Sequence, residues 1–170
     1  FGKEPMPPHS LPLCLIGAGL LWAGWFGFNA GSALSASPLA ALAFLNTSTA
    51  ASTAIVVWAL IEYLHRGKPT ALGGATAAVA GLVAITPACG NVSPLGAIAV
   101  GAGVAGVSYF ACTFMKPALG YDDSLDVFGV HALGGAWGAL AAGLFAVTLG
   151  AGVESKAQQI MVQLEGIAFV

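Results

Sequence analysis

Long stretches without a charged side chain restrict this chain more than any other feature of its sequence. Residues 5–61, 69–115 and 127–148 contain no Asp, Glu, Lys or Arg. A helix of about 20 residues crosses the apolar core of a bilayer, so even the shortest stretch is long enough for one crossing. None of the stretches alternates strictly between apolar and polar residues, as a lipid-facing barrel strand does. The sequence therefore predicts an all-α fold, a polytopic membrane helix bundle.

The composition agrees and excludes several classes of function. The chain is 58% hydrophobic and 7% charged, against about 25% charged residues in ordinary soluble domains. With a net charge of −2 and no basic cluster, no nucleic-acid partner is predicted. The isolated Cys14, Cys89 and Cys112 favour neither a disulfide nor a zinc site. No phosphate loop or grouped nucleophile and base is present, so we predict no enzyme and no cofactor.

Turn-forming segments divide the apolar stretches into spans. NAGSALSASP and TPACGNVSP interrupt the two longest stretches. With these turns and the charged residues as boundaries, the predicted spans cover residues 11–31, 39–64, 70–86, 95–115, 124–148 and, incompletely, 156–170. The last segment ends before it could cross a bilayer. We therefore expect residues 1–170 to be part of a longer protein.

The basic residues predict the orientation. Lys3, Arg66, Lys68 and Lys116 fall on one side of the predicted spans, and only Lys156 falls on the other. Because Lys and Arg accumulate in cytoplasmic loops, the first side is predicted to be cytoplasmic. The N-terminal segment is Pro-rich and precedes an apolar run too long for a signal peptide. The predicted location is the cell membrane, as a multi-pass protein in contact with lipid.

His131 is the polar residue that most needs an explanation. It lies within the charge-free residues 127–148, and an ionisable group inside a membrane is a functional candidate by default. The alternative is a structural hydrogen bond to a neighbouring helix. Asp126 lies five residues earlier, where a carboxylate can either stabilise a helix N-terminus or take part in proton transfer. Both interpretations of Asp126 remain open on the sequence.

A second group of candidates ends the first span. Trp25, Phe28 and Ser32 have the spacing of one helical stripe. Two aromatic faces and a hydroxyl could hold a small cation, since a cation over an aromatic ring gains about 0.5–2 kcal/mol. The alternative assigns Trp25 to the membrane interface and Phe28 to lipid or core packing. Thr86, next to Pro87 at the end of the third span, is a candidate for a cavity wall, although a plain loop explains this segment equally well.

Four motifs together resemble the ammonium transporter (Amt/Mep/Rh) family. They are GWFGFNAGSA, EYLHRGKPT, AGLVAITPACG and DVFGVHALGG, and the resemblance extends over residues 1–170. It implies an eleven-helix channel built from two inverted repeats around a pore, a common transporter plan. This chain would supply the C-terminal repeat, helices six to ten, and the start of helix eleven. The N-terminal half of the pore would have to come from elsewhere.

The resemblance also implies roles for individual residues. Phe28 matches an outer gate phenylalanine, Ser32 matches the serine of the outer ammonium site, and Trp25 matches a tryptophan of the pore wall. Ser32 and Trp25 are together the candidates for ammonium recruitment. His131 matches the second histidine of a twin pair that forms the pore and proton relay. Leu21 and Val127 match apolar pore-lining positions. From their sequence positions alone, Thr86 is a further pore-lining candidate and Asp126 a candidate structural or relay acid. A homotrimer and a PII-type signalling protein on the cytoplasmic face are the further partners that the family implies.

The predicted function is ammonium or ammonia transport across the cytoplasmic membrane. Ammonium would be recruited outside and deprotonated, and ammonia would then pass an apolar pore with two histidines. An electroneutral channel for ammonia or carbon dioxide, an ammonium sensor and a purely structural membrane subunit are the alternatives. The sequence leaves open whether transport moves charge, which oligomer forms and how the protein is regulated.

Overall fold

A computed structural model describes residues 6–169 of the chain, so Lys3 and Val170 lie outside the described residues. The described part is nearly all helical. Its helices are α1 (Leu11–Asn29), α2 (Pro38–Arg66), α3 (Ala71–Ile85), α4 (Pro94–Phe110), α5 (Lys116–Leu119), α6 (Gly134–Phe145) and α7 (Lys156–Phe169). Two π-helical segments are π1 (Ala111–Met115), which joins α4 to α5, and π2 (Phe128–Leu133), which precedes α6.

Within the described residues, four helical segments are long and apolar enough to cross a membrane. They are Leu11–Ala33, Pro38–Arg66, Pro94–Leu119 and Phe128–Phe145. Helix α3 is apolar but has only 15 residues, which span about 22 Å. The protein is thus a multi-pass membrane protein, as the composition predicts.

The helix starts follow directly from local sequence. Ser10, Ser37, Thr70 and Ser93 are the N-cap residues of α1 to α4, and each side-chain oxygen accepts a hydrogen bond from a backbone N–H three residues on. Such caps satisfy donors that a helix leaves unpaired. Proline stands in the first turn of α1, α2 and α4, where its missing N–H costs no hydrogen bond.

The fifth predicted span, 124–148, is longer than the helix that forms. Helical backbone begins after Asp126, whose φ of 56° is incompatible with a right-handed helix. The Asp123 carboxylate then accepts the N–H groups of Val127 and Phe128 at 2.9 and 2.8 Å. At the other end Ala146 leaves the helix to pair with Val92. The fourth predicted span, 95–115, is instead shorter than the helix that forms, because α4 continues through π1 and α5 to Leu119.

The core is built from small residues. Helices α2, α3 and α4 pack against one another, α1 packs on α3, and α6 packs on α3 and α4. Most of the buried side chains in the central cluster are alanines. Gly101 of α4 faces α2 so closely that an added Cβ would lie 2.3 Å from the Ala50 carbonyl oxygen. Small residues of this kind allow helix backbones to touch in a membrane.

Contacts between the connecting segments define two ends of the bundle. At one end, the Asn91 and Thr148 side chains hydrogen-bond at 2.6 Å, and Leu39 lies against Gly90. At the other end, Met6, His9, Leu72, Lys116 and Ser124 line one open cavity of about 1060 Å³. The start of α1, the α2–α3 turn and the segment after α4 therefore lie close together at this second end. Arg66 and Lys68 belong to that turn.

Candidate functional site

Trp25 and Phe28 lie on one face of α1. Their rings meet edge to face with centroids 5.9 Å apart. Phe28 is 62% exposed. Both side chains line a groove of about 580 Å³ that continues along α1 past Gly24 to Leu21. The structure thus brings three of the predicted residues together on a surface that α2 to α7 leave open.

The indole of Trp25 is fixed by Thr86. Its Nε1–H donates to the Thr86 Oγ1 at 2.8 Å, and the Thr86 hydroxyl donates to the Leu82 carbonyl, also at 2.8 Å. Thr86 is therefore behind Trp25, where its hydroxyl orients the ring across the gap between α3 and α1. The sequence placed Thr86 at a cavity wall, but the bond to Trp25 gives it a more specific position.

Ser32 does not extend the helical stripe. Helix α1 ends at Asn29, and Ser32 lies in the following 3₁₀ turn, Gly31–Ala33. Its hydroxyl donates to the Phe28 carbonyl. A hydroxyl that donates one hydrogen bond retains lone pairs that accept others. Ser32 is exposed, so its oxygen can accept a hydrogen bond from a cation that approaches Trp25 and Phe28.

His131 lies in π2 and lines two cavities. The first, of about 270 Å³, is formed with Leu21, Cys14 and Val79 among others. The second, of about 670 Å³, is formed with Val127 and Tyr121 among others. Leu21 and Val127 are 50% and 48% exposed. His131 therefore lies between two apolar wall positions, Leu21 and Val127, and Leu21 connects its cavity to the groove beside Trp25 and Phe28.

Tyr121 adds a polar group to the second cavity. Burial of its hydroxyl raises the pKa of Tyr121, and the negative charge of Asp123 raises it further. The phenol therefore stays protonated at neutral pH. Nothing in the sequence distinguished this tyrosine, because it belongs to an irregular segment between π1 and π2.

Asp126 is held away from this line of residues. Its carboxylate forms an ion pair with the Lys116 ammonium, and Lys116 also donates to the Asp123 carbonyl at 3.0 Å. Both side chains line the open cavity at the second end of the bundle, together with His9. The arrangement supports a structural role for Asp126, as a link between α5 and the start of π2.

Glu62 is a buried polar residue for which the sequence predicts no role. It is 3% exposed, and its carboxylate accepts the Thr70 backbone N–H at 2.6 Å and the Thr70 hydroxyl at 2.9 Å. Glu62 thus fixes the start of α3 from the end of α2. Its partner is eight residues away across a turn, a separation for which the sequence contains no local signal.

Within the described residues, no group of three or more His, Cys, Asp or Glu side chains has the geometry of a metal site. Cys14, Cys89 and Cys112 are all free thiols. The polar groups along the groove and its two cavities are the indole of Trp25, hydroxyls, the His131 imidazole, the Cys14 thiol and, in the second cavity, the carboxylates of Asp122 and Asp123.

Comparison with known proteins gives consistent matches over most or all of the chain. The family model described as Ammonium Transporter Family matches residues 1–170. An ammonium transporter of Aquifex aeolicus (strain VF5) is 48% identical over 164 residues, which cover 94% of this chain and 39% of the relative. An ammonium transporter of Bacillus subtilis (strain 168) is 49% identical over 141 residues, covering 83% of this chain and 35% of the relative.

Solved structures agree with the sequence matches. A structure named Sensor Amt Protein superposes with a TM-score of 0.90 at 37% identity, over 95% of this chain and 40% of that chain. Mep2 of Saccharomyces cerevisiae superposes with a TM-score of 0.85 at 33% identity, over 95% of this chain and 41% of that chain. The chain spans about two fifths of the length of these proteins.

Proposed function

The chain belongs to the ammonium transporter family, and from that membership we propose that the protein carries ammonium or ammonia across the cell membrane. The relatives named above are transporters, which favours transport over catalysis. The observation that carries the proposal is the continuity of the candidate residues. One groove and two cavities connect Trp25, Phe28, Leu21, His131 and Val127.

The outer end of the groove is the proposed entry for ammonium. Trp25 and Phe28 present aromatic faces, and Ser32 presents an acceptor oxygen. Cation–π contact and a hydrogen bond would replace part of the hydration of the ion. Phe28 then separates this entry from the apolar wall at Leu21, so that an ion bound outside does not pass with its water shell.

We propose that ammonium loses a proton before it enters the apolar part of the pore, because this avoids the cost of dehydrating an ion there. An isolated ion in an apolar environment loses hydration worth tens of kcal/mol by idealised estimates, whereas neutral ammonia does not carry that penalty. Ammonium releases a proton below Phe28, and ammonia continues past Leu21, His131 and Val127. The imidazole of His131 hydrogen-bonds ammonia and, with a second histidine supplied by the N-terminal half, carries the proton separately. Potassium and sodium have no proton to release and are excluded.

The remaining wall of the pore is proposed to come from the other half of the complete transporter. Leu21, Phe28, Val127 and His131 are exposed along the line where a second, inverted repeat would close the conduit. From the family resemblance we also propose a homotrimer in contact with lipid and a PII-type protein as a cytoplasmic partner. Native mass spectrometry of the purified protein, alone and mixed with a PII-type protein, tests both.

The test of the transport proposal is replacement of His131 by alanine in the complete transporter. In proteoliposomes, we expect His131→Ala to abolish the current that follows an ammonium jump, or to make the protein permeable to potassium. His9→Ala is the matched control, because His9 is exposed at the end of the bundle and lines neither cavity of His131. Unchanged ammonium uptake and potassium exclusion in His131→Ala would contradict the proposed role.

Two alternatives predict other outcomes of the same measurement. Ammonia flux without current would indicate an electroneutral channel for ammonia or carbon dioxide. The similarity to a structure named Sensor Amt Protein favours a sensor as the second candidate, for which neither current nor flux is expected. Ammonium binding without transport, measured by calorimetry, would then support the sensor.

A further inference from the structure

The segment that carries His131 is π-helical. Segment π2 covers Phe128–Leu133, and π1 covers Ala111–Met115 on the neighbouring helix, in contact with it. A π-helical turn is rare and is frequently found at functional sites. Since π2 is not the backbone conformation that a chain adopts by default, contacts from outside the segment are needed to fix it.

Ser108 makes such a contact. Its side chain is 0% exposed, and its hydroxyl donates to the Gly129 carbonyl at 3.0 Å. Other hydroxyls in these helices, those of Thr49, Thr53 and Thr76, donate to a carbonyl four residues earlier in their own helix. Ser108 instead reaches 21 residues along the chain. Its hydrogen bond therefore joins α4 to π2.

The fit around Gly129 limits how π2 can move. A Cβ at Gly129 would lie 2.7 Å from the Cys112 Sγ and 3.2 Å from the Ala111 Cβ, so π2 lies directly on π1. The Ser108 Oγ also lies 3.3 Å from the Cβ position of Gly134, the first residue of α6. Ser108 thus contacts Gly129 near the start of π2 and Gly134 directly after its end. His131 lies between these two contacts.

We propose that Ser108 is a positioning residue for His131. Its hydrogen bond to Gly129 keeps π2 in register, and this register directs the His131 imidazole into the cavity shared with Leu21. Loss of the bond removes the side-chain link from α4 to the Gly129 carbonyl and favours an α-helical turn, in which side chains beyond Gly129 point in other directions. The inference rests on the proposed function only in that His131 is the residue being positioned.

The experiment compares Ser108→Ala with His131→Ala in the complete transporter. Thr53→Ala is the matched control, because it removes a hydroxyl that bonds only within α2. We expect Ser108→Ala to lower ammonium transport about 5- to 10-fold, the factor that corresponds to one buried hydrogen bond. We also expect it to shift the pH profile and weaken potassium exclusion in the same direction as His131→Ala. A crystal structure of the variant should show an altered π2 and a displaced imidazole.

Each outcome bears on one proposal. Folded Ser108→Ala protein with normal π2 geometry, transport and pH profile overturns the positioning role. If His131→Ala itself transports normally, the transport mechanism fails, and the structure of Ser108→Ala still tests whether Ser108 positions the imidazole. If Ser108→Ala does not fold, Gly129→Ala displaces π2 by a steric route. Unchanged selectivity and pH profile in that variant would overturn the proposal.

Discussion

At the scale of single residues, the proposed entry for ammonium depends on two successive hydrogen bonds. Leu82 accepts from Thr86, and Thr86 accepts from Trp25. The ring is therefore oriented before any ligand arrives, and binding need not include the cost of ordering it. The orientation of Trp25 is thus a property of α3 as much as of α1.

Replacing Thr86 by valine removes the acceptor while preserving the shape of the side chain. One hydrogen bond contributes about 1 kcal/mol. We therefore expect the half-saturation concentration for ammonium to rise about fivefold with little change in maximal rate. Transport kinetics in proteoliposomes measure both, with Thr53→Val as the control. A lower maximal rate at unchanged half-saturation would instead mean that Thr86 acts within the conduit.

Asp126 offers a test of structural against relay roles, the two alternatives that its sequence position left open. Asparagine tolerates positive φ as aspartate does, so Asp126→Asn removes the charge and preserves the backbone at φ 56°. The partly exposed pair with Lys116 contributes up to about 1 kcal/mol. We expect a small decrease in thermal stability and transport within about twofold of wild type. Loss of transport in a folded Asp126→Asn protein would establish the relay role.

Sequence reasoning identified side chains at this scale better than it identified their partners. His131 is recognisable in the sequence because an ionisable group is costly to bury in a membrane. Trp25 and Phe28 are recognisable because their aromatic rings have the spacing of one helix face. The bond between Trp25 and Thr86 joins residues 61 positions apart, and the bond between Ser108 and Gly129 depends on a π-helical turn. Neither has a periodic signal. Ser32 was assigned to a helical stripe because the sequence does not reveal that α1 stops three residues earlier.

At the scale of helices, α2 and α4 touch through backbone atoms. Gly101 has no space for a methyl group, since a Cβ would meet the Ala50 carbonyl oxygen and Cα at 2.3 and 3.0 Å. Gly106 of the same helix has no atom within 4 Å of the corresponding position. The two glycines therefore separate the effect of packing from the effect of helix propensity.

Gly101→Ala should force α4 away from α2. Overpacking of this kind costs about 1–3 kcal/mol, so we expect lower thermal stability in detergent. Gly106→Ala should be neutral or slightly stabilising, because alanine favours a helix by up to about 1 kcal/mol relative to glycine. Thermal unfolding of both variants measures the difference. Equal stability of the two would show that the α2–α4 contact relaxes without cost.

The apolar stretches were sufficient to expect helices, but not their ends. Hydropathy indicates which residues can form a helix in lipid. It does not indicate at which residue a carboxylate cap makes the helix begin. Asp123 and the backbone of Asp126 decide that π2 begins at Phe128, and the pairing of Ala146 with Val92 decides where α6 ends. These are contacts of the folded chain, which composition does not encode.

For the whole molecule, the distribution of Lys and Arg predicts which end faces the cytoplasm. Arg66, Lys68 and Lys116 belong to the end that includes the α2–α3 turn, and Lys156 belongs to the other. With every native cysteine of the complete transporter replaced by alanine, Cys14, Cys89 and Cys112 included, single cysteines at Ser35 and Lys68 report on the two ends. In intact cells, a membrane-impermeant thiol reagent should label Ser35→Cys and not Lys68→Cys. Labelling of Lys68→Cys alone would reverse the orientation.

The contact between Gly101 and Ala50 also determines how the protein can change. The proposed conduit could be widened by trimming bulky side chains behind its wall, but most of the buried side chains in the central cluster are alanines, which leave little to trim. Larger side chains in this cluster would push the helix backbones apart, because no empty space is available for them. Variants that admit bulkier amines should therefore arise at Leu21 and Val127, and the cluster behind them should tolerate very few substitutions.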